Sequence, residues 1–284
     1  MTNRKHETKR EIGSRTAKKG FRNEDVIIKK FSNWREDTHS KDWLYYICKS
    51  KGFEFSNLES IEIKKIGGKN KADLYLKLIF VQFESINIGI SLKIQNVMGY
   101  NHIHRENADD FARRFNFSKN ATIALLKYCG VEGYSPYDQL LKGVISKEEY
   151  LSYDDIPEKK QHREGTGRYY FDELPNNEQI ELIENFSLNF KEILEYIIRG
   201  DSTSNYQADF LLCTLDLGNE RFLYSIEIIE EAIDRAFDNG IVKPLIKEHP
   251  SLHMGKITLQ RKGGTGGATQ LQFKWTNVFP EKKR

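Results

Sequence analysis

An aspartate ahead of one apolar run and a lysine near the end of the next are the residues of this chain best placed to do chemistry. Asp73 precedes the run Leu74 to Phe83, and Lys93 lies in the run Ile86 to Ile94, with little more than Glu84 and Ser85 between them. Both runs read as strands of a hairpin. Side chains alternate along a strand, so Ser91 and Lys93 share one face and Leu92 takes the other. A hard cation such as Mg²⁺ takes a carboxylate oxygen, and a neighbouring ammonium orients a hydroxide and offsets negative charge growing at phosphorus. The pattern points to metal-dependent phosphodiester hydrolysis, with Asp73 on the metal and Lys93 beside the attacking water. An Asp and a Lys flanking a hairpin are also common solvated residues, so the chemistry needs support elsewhere in the chain.

Glu24 is a second acid of interest. Ser14 reads as the N-cap of a helix running to about Trp34, with Ala17, Phe21, Ile28 and Phe31 as its apolar stripe. Glu24 falls inside that stripe, and a carboxylate turned toward a core needs a partner. A salt bridge to a lysine is one reading; contact with the metal site or with Lys93 is the other. Glu62-Ile63-Lys64 repeats the acid-x-lysine spacing, but Gly67-Gly68 ends its strand at once and no well-placed acid precedes it. His102 and His104, with Glu106 and Asp109 nearby, read either as metal ligands or, lacking a further ligand, as surface or phosphate-contacting residues.

The second concentration of chemistry is near the carboxyl end. KITLQRK (256–262) and QLQFKWT (270–276) bracket GGTGGAT, which lies between two strand patterns and so reads as a hairpin loop, not a phosphate cradle. Ile257, Leu259, Leu271 and Phe273 form an apolar face. Thr258, Gln260, Lys262, Gln270, Gln272 and Lys274 form an opposite face without a carboxylate. A two-stranded ribbon fits the DNA major groove, where Lys pairs with guanine O6 and N7 and Gln offers a donor and an acceptor together. A plain amphipathic surface hairpin is the alternative.

The elements that must position these residues alternate between helix and strand. Asp42 to Cys48 reads as a short helix, Leu58 to Ile66 as a strand, and Asn107 to Asn116 and Ser118 to Tyr128 as helices. Ser146 and Glu149 form a capping box, and 154–168 reads as a loop. Asn177 to Arg199 is one long helix or two abutting ones, closed by Gly200. Gln207 to Leu215 and Arg221 to Tyr224 read as strands, and Glu227 to Phe237 as a helix. The expected class is α/β in the mixed α+β sense, a central mixed sheet flanked by helices, with a hairpin-bearing C-terminal region. The boundary is expected near residue 118, giving 1–118 and 119–284.

A chain of 284 residues with 38% hydrophobic and 12% aromatic residues can bury a full core. The net charge of +3 conceals a split: residues 1–30 carry ten Lys/Arg against four acids, and residues 252–284 carry seven against one. Basic ends on an acidic middle suggest a polyanion held at a defined place. No apolar run is long enough to span a membrane, the N-terminus is too polar for a signal peptide, and Cys48, Cys129 and Cys213 are too scattered for a disulfide framework. A cytoplasmic protein is expected.

GSRTAKKGFRNE (13–24), FSNW (31–34), DWL (42–44), the Asp73 to Lys93 block, the IIRG ending at Gly200, and KITLQRKGG followed by LQFK (256–274) together resemble the HinP restriction endonuclease family, with MspI a more distant relative. The resemblance covers nearly the whole chain. It implies a PD-(D/E)xK nuclease fold, Mg²⁺ dependence, and cleavage of double-stranded DNA within GCGC by a type II enzyme, paired with a cognate DNA methyltransferase and acting as a monomer or weak dimer. The family's catalytic aspartate and lysine fall on Asp73 and Lys93, and Glu24 falls in the shared helix motif. The family's intervening position, an amide in its relatives, falls on Ser91, so one metal ligand is replaced by a hydroxyl or by water. Gln272 and Lys274 resemble base-reading residues, Gln260 and Lys262 lie in the matching QRKGG run, and Asn96, just past the block, is a further DNA-binding candidate. A non-catalytic, sequence-specific DNA-binding protein derived from a nuclease is the competing expectation, and a non-specific or repair nuclease a third.

Overall fold

The computed structural model describes residues 22–68, 70–81, 85–95, 100–153, 167–216, 222–245, 251–261 and 270–279. In chain order they form helix α1 (22–32), α2 (Thr38–Ser50), strands β1 (Leu58–Lys65), β2 (Leu74–Phe80), β3 (Ile86–Gln95) and β4 (Tyr100–Asn107), and helices α3 (Ala108–Arg114), α4 (Lys119–Cys129), α5 (Pro136–Leu141) and α6 (Lys147–Ser152). Then come α7 (Asn176–Leu188), α8 (Phe190–Leu194), β5 (Phe210–Asp216), β6 (Phe222–Ile228), α9 (Ile229–Phe237), β7 (Val242–Leu245), β8 (Ser251–Met254), β9 (Ile257–Arg261) and β10 (Gln270–Thr276). The expected N-cap Ser14, the candidates Asn96 and Lys262, the glycine-rich hairpin loop and most of the 154–168 loop lie outside the described residues. None of the described helices is long and apolar enough to cross a membrane.

The mixed α/β class is as expected, but built on two sheets in two compact units. One unit comprises Met1–Gly99, Arg199–Ala232 and Asn277–Arg284, the other Tyr100–Ile198 and Ile233–Thr276. Both are discontinuous in sequence, unlike a single cut near residue 118.

The first unit holds a sheet of order β1-β2-β3-β5-β6, antiparallel except for the parallel pair β3 and β5. Leu74, Leu76, Leu78 and Phe80 alternate inward along β2 and meet Ile88, Ile90 and Leu92 of β3 and Phe210 and Leu212 of β5 in one core. Ile27 and Phe31 of α1 and Trp43, Leu44 and Ile47 of α2 complete it. Helix α2 starts earlier than expected because Asp37 caps it, accepting from Ser40 N at 2.9 Å. Strand β6 runs through Glu227 to Ile228, so the helix expected from Glu227 begins at Ile229 instead.

The second unit holds a fully antiparallel sheet of order β4-β10-β9-β8-β7. One face carries Leu271, Phe273, Trp275, Ile257, Leu259, Leu252 and Met254, all buried. Phe111 of α3 lies against Phe273 at 5.2 Å between ring centroids, with Phe186 of α7 beyond it. The Tyr128 hydroxyl of α4 donates to Leu259 O at 3.2 Å. The expected hairpin exists, but it is not a free ribbon: β4 and β8 pair with its two outer edges. The capping box at Ser146 is half formed. Ser146 Oγ accepts from Glu149 N at 3.0 Å, while the Glu149 carboxylate accepts from Tyr153.

Candidate active site and polar sheet face

Strand β3 runs past the first residue of β2, and Asp73 sits at that step. Its N–H still donates to Ile90 O at 2.9 Å, continuing the ladder. Its side chain then takes over where the strand ends, and Oδ2 accepts from Leu92 N at 2.6 Å and from Ser91 Oγ at 3.4 Å. The carboxylate thus satisfies a backbone donor that a longer β2 would have paired. Lys93 Nζ donates to Ser91 Oγ at 2.9 Å and to Leu92 O at 2.8 Å, and lies 3.5 Å from Asp73 Oδ2. The three predicted residues therefore form one cluster. Ser91 is buried, whereas the Asp73 and Lys93 side chains keep 31% and 20% of their surface exposed, so solvent reaches the two charged groups.

Every hydrogen bond to the Asp73 carboxylate from the described residues falls on Oδ2, which leaves Oδ1 as the oxygen for a cation. Among the described residues no three His, Cys, Asp or Glu side chains gather closely enough to cage a metal by themselves. This donor set suits a cation that retains most of its water, as Mg²⁺ does, and not one needing an all-protein shell.

Glu24 goes elsewhere. Its carboxylate lies 3.0 Å from Lys65 Nζ on edge strand β1, and Asp25 joins the same lysine at 3.2 Å. The bond from Glu24 holds the Lys65 ammonium above its ordinary range against a smaller opposing effect of burial, with Asp25 adding to it. Alternation explains the separation. Helix α1 packs on the face of Leu74, Ile90 and Leu92, whereas Asp73, Ser91 and Lys93 occupy the intervening positions. The salt-bridge reading of Glu24 is the one realised.

On the second sheet the polar face extends beyond the expected hairpin. Register places Arg105 of β4 opposite Gln272 and Gln272 opposite Gln260. A parallel row runs His102, Lys274, Thr258, His253 and Lys243 across all five strands. Gln272 is only 5% exposed, Gln260 and Lys274 are half-buried, and Arg105, His102 and Lys243 are exposed. With its amide turned so that oxygen faces donors, Gln272 Oε1 accepts from Arg105 Nε at 2.8 Å, from Arg105 Nη2 at 2.8 Å and from His102 Nδ1 at 2.7 Å. Partial loss of solvent around the ring, then the charges of Lys274 and Arg105, push the His102 imidazole down to about 4, which leaves it neutral; the bond to Gln272 Oε1 puts its proton on Nδ1. Burial and the Arg105 charge also lower Lys274.

The histidines do not act as a pair. A register shift sets Lys274 opposite His102 but Phe273 opposite His104, so β4 carries an extra residue, Ile103, at that point. His104 turns to the other face, 3.3 Å from Glu106 and edge-on to Tyr196 at 4.9 Å. Arg105 was missed by sequence reasoning because its strand was missed. The bulge breaks the alternation that would have revealed YNHIHREN as a strand.

The two sheets with their flanking helices form a restriction-endonuclease-like fold. Among solved structures the chain is similar to restriction endonuclease MspI in complex with its cognate DNA, at a TM-score of 0.50 and 13% identity, over 83% of this chain and 78% of that one. No protein-family model matches the chain, and no curated protein matches it in sequence.

Proposed function

We propose that the protein is a type II restriction endonuclease of the HinP kind, which hydrolyses double-stranded DNA within a short palindrome, GCGC, using Mg²⁺. The observation that carries this reading is the cluster of Asp73, Ser91 and Lys93 on adjoining strands of a restriction-endonuclease-like fold. The HinP-like motifs support the palindrome, and the DNA in the MspI complex supports a duplex as the substrate class. The catalytic part would be the unit that carries the first sheet and the reading part the unit that carries the second, in a cytoplasmic monomer or weak dimer accompanied by a methyltransferase that protects the host's sites.

Asp73 Oδ1 would hold the cation, with Ser91 contributing through its hydroxyl or an intervening water. When bound, Mg²⁺ would acidify a coordinated water and offset charge on the scissile phosphate. Asp73 does two further things: through Oδ2 it fixes the backbone at Leu92, and it keeps the Lys93 ammonium close. Lys93, held by Ser91 Oγ and Leu92 O, has lost much of its rotamer freedom and is set to hold the attacking water in line with the leaving oxygen. Ser91 is thus a spacer between acid and lysine, which explains how a hydroxyl can occupy the position of an amide.

A hydroxyl at Ser91, where the relatives carry an amide, favours one other reading, a sequence-specific binder that no longer cuts. Incubating plasmid DNA with the protein and Mg²⁺ separates the two. Discrete fragments are expected. Shifted but uncut DNA would establish the binder, and a smear would establish a nuclease without site preference.

A further inference from the structure

The buried state of Gln272 reverses the role its sequence suggests. An amide only 5% exposed presents almost nothing to a groove, and its oxygen is already occupied by Arg105 and His102. Arg105, by contrast, is exposed on a face whose described strand residues include no carboxylate, and its guanidinium is held through Nε and Nη2. The other edge, formed by Nη1 and the outer N–H of Nη2, carries a pair of parallel donors, the shape that fits guanine O6 and N7. We propose that Arg105 is the guanine-reading residue of this sheet face and that Gln272 is a positioning residue that fixes the guanidinium plane.

The inference rests on the DNA-cleaving reading above and deepens it. A phosphate contact would need only charge, and a mobile lysine supplies that. Fixing a guanidinium on a buried amide selects one orientation of a planar donor pair, as bidentate reading of a base edge requires; a phosphate can take the same fork, and the selection experiment below separates the two. The neutral His102 ring belongs to the same arrangement. By donating a hydrogen bond from Nδ1–H to the shared oxygen it steadies the Gln272 amide, and it adds no second charge beside Arg105.

The test is selection of duplexes from a randomised oligonucleotide pool, with Ca²⁺ replacing Mg²⁺ so that DNA is bound but not cut. The parent protein is expected to select guanine at a fixed position. Arg105→Lys, an exposed substitution that keeps the charge, should flatten the preference at one base pair by about tenfold to a hundredfold while leaving the other positions intact. Gln272→Leu should flatten the same position, and Gln272→Glu, which still accepts from Arg105, should restore it. The Arg105 Nε–H resonance in Gln272→Leu should lose protection from exchange, a change that separates positioning from loss of fold. Equal weakening on every sequence by Arg105→Lys would make Arg105 a phosphate contact and overturn the proposal, as would an unchanged preference. A parent protein that binds no duplex would overturn the DNA-cleaving reading, and this inference with it. A parent that selects a site while Arg105→Lys selects the same one would overturn this inference alone.

Discussion

The two sheets solve opposite problems. In the first, chemistry is concentrated at a single step where β3 outruns β2, and three side chains within 21 residues of sequence make the whole cluster. In the second, the polar face is spread over five strands, and the contact that organises it joins residue 105 to residue 272. The difference is one of tolerance. A cluster that moves a proton or holds a cation depends on distances of a few tenths of an ångström, so it is built on neighbouring strands over a continuous apolar core. A face that meets an extended ligand needs many positions at a common level, which a pleated antiparallel sheet provides by alternation.

The sharpest way to break this contrast is to remove one charge from the first cluster. Asp73→Asn keeps an oxygen for Leu92 N but abolishes the carboxylate. It is expected to lower cleavage by roughly 10²–10⁴-fold, with specific binding in Ca²⁺ retained. Lys93→Ala should fall in the same range. Undiminished cleavage by either variant would remove the site from this sheet, and a parallel loss of binding would mean that the cluster holds DNA instead of cutting it.

Gly89 offers a structural counterpart. A Cβ built there would lie 1.9 Å from Gln207 O and 3.2 Å from the Ala72 Cβ. The Gly89 backbone is also held on both sides by Asp209, N–H to carboxylate at 2.8 Å and C=O from Asp209 N at 2.8 Å. Because backbone is the obstacle, Gly89→Ala must shift β3, and we expect a loss of about 1–3 kcal/mol in urea denaturation together with impaired cleavage. Stability equal to the parent's would show that β3 slides freely and that the rigidity attributed to this cluster is not needed.

The same contrast decides what could be read from sequence. The β2–β3 block was legible because all its signals are local: period-two apolar residues, a short turn, and a polar triad inside it. Glu24 was half legible, since its need for a partner showed but alternation across a helix–sheet interface decided which partner. The second sheet was legible only at its glycine-rich hairpin. Strands β7 and β8 are four residues each, β7 contains Pro244, and β4 hides its alternation behind a bulge. Without β4 the partners of Gln272 are invisible, and a buried amide reads as an exposed one.

Glu24→Gln separates the two sides of the first sheet with a small effect. Its ion pair with Lys65 is partly exposed, with 20% and 42% of the two side chains accessible, so losing it should change stability by no more than about 1 kcal/mol. Cleavage should stay within about threefold of the parent by the same reasoning, since that pair lies on the face away from Lys93. A loss comparable to that of Asp73→Asn would place Glu24 in the catalytic cluster after all.

A pH-dependent effect belongs to the second sheet, and its sign is fixed by His102. Partial loss of solvent and the charges of Lys274 and Arg105 push this imidazole down to about 4 from its ordinary 6.5. Between those values the unfolded chain binds a proton that the folded chain does not, so stability rises with pH over that window and falls as acid is added through it. Above 6.5 neither state is protonated there, below 4 both are, and the contribution is flat at both ends. An NMR titration of the histidine ring should show the neutral form with its proton on Nδ1 down to about pH 5. Replacing His102 by Gln should flatten the slope of the urea midpoint between pH 4 and 6.5 relative to the parent. A ring that titrates near 6.5 would mean that its Nδ1 edge is solvated. The Gln272 amide would then lose one of its two anchors, and the polar face would be a looser assembly than the cluster around Asp73.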